Sequence, residues 1–281
     1  MIDLPSRGGA MAALDLGPPA RPVDIVFSHA NGFNGRTYRS ILAPLAGTLR
    51  ILSLDLRGHG ATRLPTEIEG REGWDEFRDD LLALLAAVAT APVVLAGHSM
   101  GGASSLLAAA AEPERVKALA LFDPVVMPSG VAPDSPTVQE SPLVQGALRR
   151  RATFPSKAAA IEAYTGRGAF RTWSAEQLAD YVEAGFRDTG AGKVALASAP
   201  EWEAANFRGH SDDAWAAFRA TRCPIRILRA EIGSTFSLEG HEAELAATGR
   251  IAVETVPGTT HFLPMERPDL VRRVLAEVVA P

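Results

Sequence analysis

The stretch Pro92-Val93-Val94-Leu95-Ala96-Gly97-His98-Ser99-Met100-Gly101-Gly102-Ala103-Ser104-Ser105-Leu106-Leu107-Ala108 passes from an apolar run, through glycines, into a small-residue helical pattern, with Ser99 at the turn. Strand, sharp turn and helix in that order make a nucleophile elbow, in which a serine hydroxyl stands clear of the sheet at the positive end of a helix. The glycines are a matter of space. The turn is too tight for side chains at Gly97 and Gly101, and Gly102 lets the helix lie close to the strand. An ordinary strand-to-helix connection also spells G-x-S-x-G by chance, so the weight of the motif depends on its surroundings.

Outward from this turn, short β-rich runs alternate with helical patterns. The expected strands are Asp24 to Ser28, Arg50 to Leu54, Pro92 to Ala96, Val116 to Phe122, Ile225 to Arg229 and Ile251 to Val256, with an early strand near Met11 to Leu16. Phe77, Leu81, Leu84, Leu85 and Val88 recur at helical spacing, and Val271, Val274, Leu275 and Val278 do so after Pro268. Alternation of this kind argues for a mostly parallel sheet covered by helices on both faces. The rhythm breaks between about Val125 and Asp213, where prolines and short helical patterns replace strands; Ser174 with Gln177 is a capping-box start. The expected division is a core of residues 1–124 and 214–281 with residues 125–213 inserted as a helical lid. No strand is evident in the insertion. Trp173 and Trp202 lie in it, either lining a pocket or packing the lid's own small core.

Composition bounds the function. The chain has 281 residues, 47% hydrophobic and 22% charged, enough for a sizeable core. Its formal net charge of -5 leaves no basic footprint for nucleic acid or an anionic membrane. No 18-residue apolar run is present, and the first residues lack the pattern of a signal peptide, so the expected setting is cytoplasmic and the expected partner a small-molecule substrate. The single cysteine, Cys223, excludes an intramolecular disulfide and a thiolate cluster. No pair of the six histidines has metal-ligand spacing, so neither metal nor cofactor is expected.

Four segments taken together resemble the α/β-hydrolase fold family along nearly the whole chain. They are His29-Ala30-Asn31-Gly32-Phe33, Asp55-Leu56-Arg57-Gly58-His59-Gly60, Gly97 to Gly102, and Gly258-Thr259-Thr260-His261-Phe262-Leu263-Pro264-Met265-Glu266. The resemblance implies an α/β fold: a mostly parallel, doubly wound sheet of about eight strands, helices on both faces, and a helical lid inserted after the sixth strand. It implies Ser99 as nucleophile and His261 as its base. It also implies an oxyanion hole from the N–H groups of Met100 and of Asn31, with Gly32 or Phe33 as alternatives because Ala30 stands where a glycine is usual. The remaining histidines have lesser roles: His29 braces the oxyanion loop, His59 ends a loop-stabilising motif, His210 lies in the lid and His241 on a surface helix. Phe33, His98, Met127, Trp173 and Phe262 are candidate substrate contacts, although the His98 ring is expected to turn from the nucleophile's path.

The acid departs from the common pattern. Many relatives carry an aspartate after the strand corresponding to Ile225 to Arg229, and here Gly233 occupies that place. Asp123, at the end of the strand Val116 to Phe122, is the first choice, since haloalkane dehalogenases are among the members with an acid there. Glu231 is the alternative. The implied activity is hydrolysis of a small or medium carboxylic ester, lactone or amide through an acyl-enzyme. Aspartate-nucleophile dehalogenases and epoxide hydrolases are disfavoured by Ser99. Carbon–carbon bond hydrolysis of a diketone-like metabolite is the second reading. The third, suggested by Gly233, is a weakly active or inactive small-molecule-binding member.

Overall fold

The computed structural model describes residues 1–71, 73–126, 136–209, 213–238 and 240–280. Its strands in chain order are β1 (Ile2–Leu4), β2 (Gly9–Leu16), β3 (Ile25–Ser28), β4 (Ile51–Asp55), β5 (Val93–His98), β6 (Val116–Phe122), β7 (Thr153–Phe154), β8 (Phe186–Asp188), β9 (Val194–Leu196), β10 (Ile225–Ile232) and β11 (Ile251–Thr260). Eight of these form one sheet in the order β1-β2-β4-β3-β5-β6-β10-β11. The pairs β1/β2 and β2/β4 are antiparallel and the others parallel.

Strand side chains alternate between two hydrophobic cores, as the period of two in a strand requires. Val26, Val93, Leu95, Leu119 and Leu121 join one core, together with Phe77, Leu81, Leu84 and Leu85 of the helix Asp75–Val88. Ile25, Phe27, Val94, Ala96, Ala118, Ala120 and Phe122 join the other, with Val271, Val274 and Leu275 of the helix Pro268–Val279. A sheet buried on both faces is therefore built from strands apolar at nearly every position.

The fold also has a topological switch point. From β3 the chain steps to β4 on one side and later to β5 on the other, with Ser28 of β3 beside Gly97 of β5. At such a reversal the loops leaving the two strands diverge and open a site at their carboxyl ends. The loop after Ser28 and the turn at Ser99 both emerge there.

The structure corrects the expected layout in places. β1 is an additional edge strand. β5, β10 and β11 run to His98, Ile232 and Thr260, beyond their expected ends. Between β6 and β10 lie helices at Lys157–Tyr164, Ala175–Gly185 and Pro200–Arg208, but also a three-stranded sheet in the order β7-β9-β8. These strands have two or three residues each, too short to show a periodic pattern. Trp202 does not pack a separate lid core. It lies in the first of the two main cores, 6.3 Å from Phe77, and its indole N–H donates to Arg57 O. Among the described residues no helix is long and apolar enough to cross a membrane.

At the elbow, a Cβ on Gly101 would sit 2.3 Å from Ser28 O and 2.5 Å from His29 O, and one on Gly97 would sit 2.5 Å from the Gly101 carbonyl. Gly101→Ala should therefore cost about 3 kcal/mol, at the upper end of overpacking losses. Gly47→Ala, where nothing lies within 4 Å, should stay within about 0.5 kcal/mol of the parent. Urea unfolding of both variants checks this; equal stability would contradict it.

Candidate active site

Ser99 follows β5 and precedes the helix Met100–Ala111, with φ 57° and ψ -123°. A non-glycine residue at positive φ is strained and persists only where its surroundings hold it. Here its N–H donates to Phe122 O at 3.1 Å, and its carbonyl accepts from Ala103 N and Val125 N.

The Ser99 Oγ lies 3.0 Å from His261 Nε2, and His261 Nδ1 lies 2.7 Å from Asp123 Oδ2. A carboxylate only accepts, so Nδ1 carries the proton and Nε2 receives the serine hydroxyl. Asp123 is fully buried at the end of β6, also at positive φ. Burial pushes its carboxyl up, but the bond and charge of His261 and the donors Ser234 Oγ and Ala230 N–H outweigh burial and hold it below its usual range. Thr235 adds its N–H to Oδ2 at 3.1 Å.

Two segments carry the backbone N–H groups expected of an oxyanion hole. Met100 is the first residue of its helix, where the N–H has no partner within the helix. In the loop after β3, Ala30 N–H donates to Tyr38 Oη, Gly32 N–H to His59 Nε2 and Phe33 N–H to Ala30 O. The N–H groups of Gly32 and Phe33, the alternatives to Asn31, are thereby already engaged. The Asn31 side chain donates to Glu203 O and accepts from Asn206 Nδ2.

The sequence profile of the alpha/beta hydrolase family matches residues 25–274. The chain belongs to this family. It is 26% identical over 263 residues to a 2-(acetamidomethylene)succinate hydrolase of Mesorhizobium japonicum, covering 91% of this chain and 87% of that protein. The crystal structure of an E-2-(acetamidomethylene)succinate hydrolase superposes with a TM-score of 0.75 at 20% identity, covering 96% of this chain and 99% of that one. A thermophilic esterase from Thermogutta terrifontis superposes with a TM-score of 0.69 at 22% identity, covering 99% and 98%. Both superpositions speak for the hydrolase fold.

The other candidate residues divide. Glu231 does not reach His261. It lies on the extended end of β10 and accepts from Gly258 N at 2.8 Å, because β10 continues past the point where a loop was expected. Phe33, Trp173 and Phe262 come together beside the histidine: Phe33 stands 5.1 Å from Trp173 and 6.3 Å from Phe262, and Phe262 5.8 Å from the His261 ring. His98 is not an open contact surface. Its ring is fully buried, with Nδ1 2.7 Å from Tyr38 Oη and Nε2 2.7 Å from His261 O. Met127 and His210 lie outside the described residues. His241 stacks on Trp215 at 3.7 Å.

Several supporting residues were not visible as such in the sequence. Ser234 and Thr235 follow the Gly233 that stands at the usual acid position, and they hold the acid supplied by the neighbouring strand. Their signal is only two hydroxyls after a glycine. Glu203 and Asn206 lie far from Asn31 in the chain. The motif at Asp55 to Gly60 braces the loop after β3: Asp55 accepts from Gly35 N and Ala61 N, Arg57 pairs with buried Asp80 at 2.6 Å, and His59 accepts from Gly32 N.

Burial holds His29 well below its ordinary range, aided by the adjacent His59 ring; burial also lowers His59 to about 4 and His98 to about 3. Folded values below the unfolded one mean that the unfolded chain binds more protons as pH falls. The contribution is complete above about pH 6.5 and is lost as pH drops through that value toward 4. The midpoint of urea unfolding should accordingly fall steadily from pH 7 to pH 5. A flat profile over that range would contradict buried neutral histidines.

Proposed function

We propose that this alpha/beta hydrolase is a serine hydrolase acting on a small or medium carboxylic ester through an acyl-enzyme. The observation that carries the reading is the continuous hydrogen-bonded line from Ser99 Oγ through His261 to Asp123. In it, Ser99 attacks the carbonyl as His261 Nε2 takes its proton. Asp123 keeps the imidazole in the required tautomer and stabilises the imidazolium. The Asn31 and Met100 N–H groups receive the charge that develops on the carbonyl oxygen. His261 then protonates the leaving group, and water, activated by the same ring, releases the acid.

Residues 125–213 act in this reading as a lid, supported by Trp173 packing against Phe33 and Phe262 of the core. Those aromatics favour an apolar acyl or alcohol group next to the scissile bond. The relative named for 2-(acetamidomethylene)succinate supports testing an amide of a small acid beside the esters. The reading as an inactive binder rested on Gly233, and the bond between Asp123 and His261 counts against it.

A fluorophosphonate probe should label the protein and fail to label Ser99→Ala. With p-nitrophenyl acetate, Asp123→Asn should lose on the order of 10⁴ in turnover through the wrong imidazole tautomer. Glu231→Gln should turn over like the parent. An unlabelled parent would overturn the hydrolase reading, and a fully active Asp123→Asn the assignment of the acid.

A further inference from the structure

Tyr38 and His98 are fully exposed to no solvent and take no part in the chemistry above, yet both are polar and both are hydrogen-bonded toward it. Ala30 N–H reaches Tyr38 Oη at 3.2 Å, Tyr38 Oη reaches His98 Nδ1 at 2.7 Å, and His98 Nε2 reaches His261 O at 2.7 Å. The direction of each bond is forced. The His261 carbonyl only accepts, so Nε2 of His98 carries the proton. The buried ring, with a pKa near 3, is neutral and has one proton, so Nδ1 accepts and the Tyr38 hydroxyl donates to it. The Tyr38 oxygen keeps lone pairs for the Ala30 N–H.

The ends of this chain are informative. Ala30 immediately precedes Asn31, His98 immediately precedes Ser99, and the accepting carbonyl belongs to His261 itself. In the sheet, β5 is separated from β11 by β6 and β10, so no strand pairing ties the elbow to the loop that carries the histidine. On its other side that loop is held by Glu266, which accepts from Thr260 N at 2.7 Å and Thr260 Oγ1 at 2.8 Å. Tyr38 is itself fixed by packing against Phe27 at 4.7 Å.

We propose that Tyr38 and His98 are positioning residues: a buried relay that locks the His261 backbone and the Asn31 N–H to the elbow, so that base and oxyanion donor address the same carbonyl. The proposal rests on the serine-hydrolase reading. A geometric lock of this kind acts on the transition state, where misplacement by about 1 Å costs up to 10²-fold, and much less on ground-state binding.

The test compares Tyr38→Phe, His98→Leu and His98→Gln with the parent in p-nitrophenyl acetate turnover and in the rate of fluorophosphonate labelling. Tyr38→Phe, which deletes one oxygen, should lower kcat about ten-fold, and His98→Leu on the order of 10²-fold, both with KM within about three-fold. His98→Gln returns an N–H donor to the position of Nε2 and should recover most of the kcat lost in His98→Leu. Labelling rates should follow kcat. If His98→Leu does not fold, the isosteric Tyr38→Phe decides alone. An active parent with unchanged kcat in folded Tyr38→Phe, or equal losses in His98→Leu and His98→Gln, overturns the relay and leaves the hydrolase reading intact. A parent that neither labels nor turns over overturns both.

Discussion

The approach of Gly101 to the carbonyls of Ser28 and His29 is the constraint on which the site depends. There is no space for a Cβ between the first turn of the helix and the end of β3. Because the helix can lie that close, the chain must turn sharply at Ser99, which takes a positive φ. The turn at Ser99 and the seating of the helix start against the end of β3 therefore rest on one steric fact, the absence of side chains at two glycines.

Around that fact the structure satisfies polar groups in a particular way. His29, His59 and His98 are buried and neutral, and each uses one ring nitrogen as donor and the other as acceptor. A neutral imidazole can brace two backbone groups at once without bringing an uncompensated charge into the interior. The carboxylate that meets the serine's histidine is treated differently: Asp123 is surrounded by donors from β10 and the segment after it. Since β6 and β10 are neighbours, with Phe122 beside Leu228, a carboxylate leaving either strand can reach the same imidazole. That adjacency explains how Gly233 can stand at the usual acid position without leaving the histidine unsupported.

Much of the fold was legible. The strands are apolar enough, and the helices periodic enough, that the central sheet and its flanking helices follow from pattern. Boundaries were less so, because a strand's end is set by its neighbour: β10 extends to Ile232 only because β11 continues alongside it through a register shift. The small sheet of β7, β8 and β9 leaves no pattern in the sequence for the opposite reason, its strands being too short to carry a period. Trp202 shows a third limit, since a tryptophan in a helical stretch says nothing about which core it will enter.

Taken alone, the amino-acid sequence determined the elbow, the order of serine, acid and histidine along the chain, and two possible acids. These are local matters of residue type, glycine placement and spacing, which a linear pattern can express. Only the tertiary structure decided that Asp123 rather than Glu231 meets His261, that the Gly32 N–H is taken up by His59, and that His98 faces inward to the His261 carbonyl. Each of those outcomes is a hydrogen bond between residues far apart in the chain, and its existence depends on distances of a few tenths of an ångström that spacing along a chain does not contain.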